Sequence, residues 1–138
     1  MFLVSTPQAS RRILVVDDDA LNRRLARQIF AAEGLEVAGA GGGPSALDQI
    51  STAAPDVIFL DVHMPGIDGL ALLETLKERL PAAPVVMLTG SRDVKTAVRA
   101  TQLGAFDYLT KPIDRDELVA SARRALETRA LRLEVGEL

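Results

Sequence analysis

The sequence predicts an α/β domain in which a five-stranded parallel sheet is covered by helices on both faces. Two observations carry this. Short apolar runs alternate with amphipathic stretches five times along the 138 residues. The runs, such as ILVV at 13–16 and VIFL at 57–60, are apolar throughout rather than at every second position. Strands of that kind need cover on both faces, which is the habit of parallel sheets. Right-handed crossovers between five such strands favour a doubly wound order, 2-1-3-4-5.

Each element has its own signal. Ile13–Val16 is the first strand. Ala20–Ala32 carries Leu21, Leu25, Ile29 and Ala32 at helical spacing with arginines opposite, and Gly34 is placed to end that helix. Leu35–Ala40 is a second strand, less apolar than the others. Pro44 opens a short helix to Ser51, since proline suits the first helical turn. Asp56–Asp61 is the third strand. Leu70–Leu80 is a helix with Leu70, Leu73, Leu76 and Leu80 along one side. Pro84–Gly90 contains the fourth strand, and Asp93–Leu103 is a helix stopped by Gly104. Ala105–Thr110 is the fifth strand. Asp114 and Glu117, three apart, form a capping-box pattern that starts the last helix, Asp114–Arg129.

Composition narrows the function classes. Hydrophobic residues make up 48% and charged residues 25%, as expected of a soluble globular domain. The chain has no cysteine, which excludes disulfides, zinc–thiolate sites and a cysteine nucleophile. A net charge of -3 and a pI near 5.2 argue against direct nucleic-acid or anionic-membrane binding. No apolar run approaches the roughly 20 residues of a membrane span. The stretch MFLVSTPQAS lacks the basic start and apolar centre of a signal peptide. It reads as part of a flexible leader, residues 1–11, before a domain at 12–129 and a helical extension or linker remnant at 130–138. The expected location is cytoplasmic.

The first strand ends in Asp17, Asp18 and Asp19, and the third ends in Asp61. In the order 2-1-3-4-5 these ends are neighbours, about 4.8 Å apart strand to strand, at the switch point where doubly wound folds place their sites. Clustered carboxylates either bind a cation or take up protons. Hard oxygen ligands suit Mg²⁺. The fourth strand ends in Thr89 and the fifth leads to Lys111. A carboxylate, a divalent cation, a hydroxyl and an ammonium converging on one point make a phosphoryl site, with Asp61 able to act as nucleophile. Any one of these residues alone would be an ordinary cap, strand-end hydroxyl or surface charge. Asp19, just ahead of the first helix, fits an N-cap.

These residues carry a resemblance. VVDDD at 15–19, LDVHMPGIDG at 60–69, MLTG at 87–90 and DYLTKPID at 107–114 resemble, in order and separation, the receiver domains of two-component response regulators. The likeness spans about Arg12 to Arg129. It implies the flavodoxin-like (βα)5 fold, Asp61 as phosphoacceptor, and Mg²⁺ or Mn²⁺ held by Asp18 and Asp61, with Asp17 acting mainly through water. It implies that the backbone carbonyl of His63 is a further ligand, that Thr89, Lys111 and the small Gly90 receive the phosphoryl group, and that the Lys111–Pro112 peptide is cis. It implies a switch in which Thr89 and Tyr108 move together and bias the face built by the fourth helix, fifth strand and fifth helix. Implied partners are a histidine kinase or phosphotransfer protein, docking on the Asn22, Arg23 and Ala26 side of the first helix, and a second copy across that switch face. GAFDYLTKPID and the charged helical tail are similar to receivers of enhancer-binding transcription activators.

Other readings are weaker. The histidine at 63 follows Asp61 by two positions, so its side chain belongs at the site's rim rather than on the metal. GAGGG at 39–43 suggests a phosphate loop, but Pro44 stands where a dinucleotide fingerprint needs glycine, and a flexible turn into the second helix is the better reading. Leu131, Val135 and Leu138 could continue the last helix, against Gly136. A Mg²⁺-dependent phosphatase with an aspartyl nucleophile would want an acid at position 63. A flavin-binding module would not face its phosphate with three aspartates. A degenerate receiver would not keep the full acid, threonine and lysine set.

Overall fold

The computed structural model describes residues 11–64, 67–90 and 94–134. Five strands, β1 (Arg12–Val16), β2 (Glu36–Ala40), β3 (Val57–Asp61), β4 (Val85–Thr89) and β5 (Asp107–Thr110), form one parallel sheet in the order β2-β1-β3-β4-β5. Five helices alternate with them: α1 (Ala20–Ala32), α2 (Gly43–Thr52), α3 (Gly69–Arg79), α4 (Val94–Gln102) and α5 (Arg115–Glu134). The predicted fold class and strand order are borne out.

The apolar runs are divided between two cores because successive strand residues point to opposite faces. Leu14, Val16, Ile58, Leu60, Val85 and Met87 face α2, α3 and α4, where Leu73 and Leu76 are fully buried. Ile13, Val15, Val57, Phe59, Val86 and Leu88 face α1 and α5. The rings of Phe30 and Phe59 meet on that side at 5.0 Å. Among the described residues no helix is long and apolar enough to cross a membrane.

Four details differ from the sequence reading. The buried face of α1 is Ala26, Ile29 and Phe30, while Leu21 is 65% exposed and Leu25 41%. The predicted stripe shares Ile29 with the buried face, but the rest of that face is Ala26 and Phe30 rather than the leucines. β5 begins at Asp107, since the Ala105 N–H still donates to Ala100 at the end of α4. The glycine run is not one turn: Gly39 lies in β2 and Gly43 in α2. Helix α5 runs unbroken past Arg129 to Glu134, with Leu131 exposed. Residues 1–10, Asp93, Val135, Gly136 and Leu138 lie outside the described residues.

Local signals act where expected. Gly34 and Gly104 follow α1 and α4 at φ 79° and 99°, in the left-handed region that glycine enters without strain. Asp114 accepts from the N–H groups of Asp116 and Glu117 at the start of α5.

Candidate functional site

Parallel strands bring their C-terminal ends to one edge of the sheet. Val16 of β1 pairs with Leu60 of β3, so Asp17 and Asp61 emerge side by side. Asp17 and Asp61 are buried and Asp18 is exposed; one carboxylate oxygen from each lies within 4.8 Å of the others. This all-oxygen set fits a hard divalent cation such as Mg²⁺ or Mn²⁺. The Asp18 carboxylate is the one open to solvent.

Asp17 is held at every polar atom. Its N–H donates to the Ala40 carbonyl at 3.0 Å. Its carbonyl accepts from Arg23 Nη1 at 2.6 Å. Its Oδ1 accepts from the Asp19 N–H, and its Oδ2 from Lys111 Nζ, both at 2.9 Å. Asp19 caps α1, accepting from the Leu21 N–H at 2.9 Å.

Asp61 accepts from the His63 N–H at 3.1 Å, and its Oδ2 lies 3.3 Å from Lys111 Nζ. Burial pushes its carboxyl above the ordinary range, and Asp17 adds to that; the His63 N–H and Lys111 act against it. Burial alone would lower Lys111, but Asp17 and Asp61 outweigh it and raise the ammonium above the usual lysine range. The site therefore carries a charged lysine between two crowded carboxylates, a balance that suits an arriving cation and phosphoryl group.

Lys111 follows β5, and its N–H donates to the Thr89 carbonyl at 2.7 Å. The peptide joining it to Pro112 is cis. Thr89 is fully buried at the end of β4, and Gly90 beyond it is exposed, with nothing within 4 Å of where a Cβ would stand. The His63 side chain is exposed. Tyr108, opposite Met87, packs against the α2–α4 side, and its hydroxyl is buried with no hydrogen-bond partner among the described residues. Ala26 is buried under α1, so it cannot belong to a docking face there.

Arg23 is the contributor the sequence reading missed. The helical pattern puts it among the solvent-facing arginines; a clue lies in Gly39 of β2 and Gly41 just beyond, which lie along its side chain.

The model for the response regulator receiver domain matches residues 13–123. The DNA-binding transcriptional regulator NtrC of Klebsiella pneumoniae is 45% identical over 112 residues, covering 81% of this chain and 24% of that protein. NtrX of Azorhizobium caulinodans, a nitrogen assimilation regulatory protein, is 42% identical over 128 residues, covering 91% of this chain and 28% of that one. The crystal structure of the receiver domain of NtrX from Brucella abortus superposes with a TM-score of 0.80 at 45% identity, covering 84% of this chain and 98% of that chain. The chain spans about a quarter of the length of the curated relatives.

Proposed function

The chain belongs to the response regulator receiver family of two-component signalling, with relatives among NtrC- and NtrX-type regulators, and on that footing we propose that Asp61 is its phosphoacceptor. The carrying observation is Asp61 itself, a buried strand-end carboxylate 3.3 Å from Lys111 and clustered with Asp17 and Asp18. The donor is a phosphohistidine on a histidine kinase or phosphotransfer protein. An Asp61 oxygen attacks phosphorus, the P–N bond breaks, and the imidazole leaves as the aspartyl phosphate forms.

Asp18, Asp61 and the His63 carbonyl would hold Mg²⁺ or Mn²⁺, with Asp17 reaching it through water. That ion neutralises charge on the phosphoryl oxygens. Lys111 pairs with the phosphoryl group, Thr89 donates its hydroxyl to it, and Gly90 leaves it room. The chain assists its own phosphorylation and hydrolysis and does not turn over an external substrate. The unpartnered Tyr108 hydroxyl supports a switch role. A buried hydroxyl without a partner costs free energy, so an alternative position that satisfies it is within reach once Thr89 is drawn toward phosphate. That shift would bias the α4-β5-α5 face toward a second copy or an output partner. The setting is the cytoplasm, within a longer regulator of the enhancer-binding type.

The test is intact-mass measurement after incubation with a small acyl phosphate and Mg²⁺. Wild type should gain one phosphoryl group and Asp61→Asn none; labelling that survives the substitution would sink the assignment. Mg²⁺ should also raise the melting temperature of wild type by mass action. A melting temperature that stays flat through the titration would count against the metal site.

A further inference from the structure

Two glycines sit where the edge of the sheet would be expected to carry side chains. Gly39 belongs to β2, the edge strand, and Gly41 follows two residues on, on the same side of the chain. Glycine weakens a strand, and its presence often marks a close approach. Here the approaching group is arginine. A Cβ on Gly39 would stand 3.2 Å from Arg27 Nη2 and 3.4 Å from Arg23 Cδ; one on Gly41 would stand 3.5 Å from Arg23 Nη1. The Arg23 side chain runs from α1 past both glycines and ends on the Asp17 carbonyl at 2.6 Å.

That carbonyl belongs to the peptide joining Asp17 to Asp18. The Asp17 N–H is tied to Ala40 at the end of β2, so Arg23 supplies the second strap on the same residue. The two straps fix the direction in which the backbone leaves β1, and so where both acidic side chains start. We propose that Arg23 is a positioning residue for the acidic site, its side chain lying along Gly39 and Gly41 to reach the Asp17 carbonyl. The proposal rests on the reading of that site as a Mg²⁺ and phosphoryl site.

Charge and positioning predict opposite results, which makes the idea testable. Removing a cation near clustered carboxylates would by Coulomb attraction alone tighten Mg²⁺ binding. Removing a strap leaves the ion to order the Asp17–Asp18 loop itself, which weakens binding. Two variants of the 138-residue chain separate these effects. Arg23→Met removes the charge and the strap together. Gly39→Val keeps every charge, sets branched bulk against the side chains of Arg23 and Arg27, and adds a good strand former at an edge position, so the fold should persist.

Mg²⁺ affinity is measured by calorimetry, labelling rate with a small acyl phosphate at saturating Mg²⁺, and folding by far-UV circular dichroism. Both variants should remain folded, bind Mg²⁺ about fivefold or more weakly, the scale of one ordered side-chain contact, and label more slowly. Tighter binding by Arg23→Met would reduce its role to charge and overturn the proposal. Unchanged binding in both variants would make the contact merely structural and overturn it equally. If wild type neither binds Mg²⁺ nor accepts a phosphoryl group, the reading of the site fails and the Arg23 proposal falls with it.

Discussion

Asp61 and Lys111 work against each other in stability. Asp61, raised chiefly by burial from an ordinary value of 3.8, binds its proton more tightly folded than unfolded. Between its unfolded and folded pKa values the folded state holds more protons, so this residue's contribution to stability falls as pH rises through that window. At neutral pH its charge is a cost. Lys111, raised by Asp17 and Asp61 despite burial, contributes stability that is present below the usual lysine range and lost only as pH rises through its folded pKa. In metal-free protein at neutral pH, Asp61→Asn should therefore raise the melting temperature and Lys111→Met should lower it. The gain from Asp61→Asn should shrink as pH falls toward the carboxylate range. Thermal melts across pH decide this; an Asp61→Asn protein that is less stable than wild type at neutral pH would contradict it.

At the scale of elements, the first residue of α3 is tied to the end of the strand that carries Asp61 by contact rather than by charge. A Cβ on Gly69 would stand 2.4 Å from the Val62 carbonyl oxygen and 2.8 Å from its Cα, and both are backbone. Val62 follows Asp61 directly, so the loop that carries the candidate His63 carbonyl ligand would have to move. Gly69→Ala should cost about 2 kcal/mol, the usual scale of overpacking, and should slow phosphoryl labelling. Gly90→Ala, with open space around it, should change stability by less than about 0.5 kcal/mol. Urea melts of the two variants make the comparison, and equal midpoints would refute the contact argument. The string ending in Asp68 and Gly69 was visible in the sequence, and the structure adds that Asp68 caps α3. Asp68 accepts from the N–H groups of Leu70 and Ala71. The glycine's reason was not visible, because the backbone it touches comes from the preceding loop.

Across the whole molecule, the opposite end of the sheet is held by an ion pair between buried Asp56 and half-buried Arg129. Asp56 precedes β3 and accepts from the Arg12 N–H at 2.7 Å and from Arg129 Nη1 at 2.9 Å. It joins the start of β1, the start of β3 and the far end of α5, residues distant in sequence. Asp56→Ala leaves the Arg129 guanidinium, its side chain 24% exposed, without its carboxylate. Losing one partner of a half-buried pair costs on the order of 2 kcal/mol, less than for a fully buried one. The substitution should lower the unfolding midpoint accordingly while leaving Asp61 able to accept phosphate, because the pair lies at the other end of the strands. Chemical denaturation and intact-mass labelling of Asp56→Ala check both halves, and a variant that is stable but fails to label would refute the separation.

The sequence by itself determined the strands, their order and the acids at the switch point. Apolar runs, glycine stops and aspartate caps are local, and the doubly wound order then brings Asp17 and Asp61 together whatever the side chains elsewhere do. Only the tertiary structure decided which face of α1 is buried, that Asp17 is strapped by Arg23 past Gly39 and Gly41, and that Asp56 clamps α5. The physical reason is range. Periodicity and capping are properties of a few neighbouring residues, whereas close packing and a hydrogen bond between α1 and the end of β1 depend on how far the helix sits from the sheet. Ala26 and Phe30 are buried there, and leucine spacing does not report it.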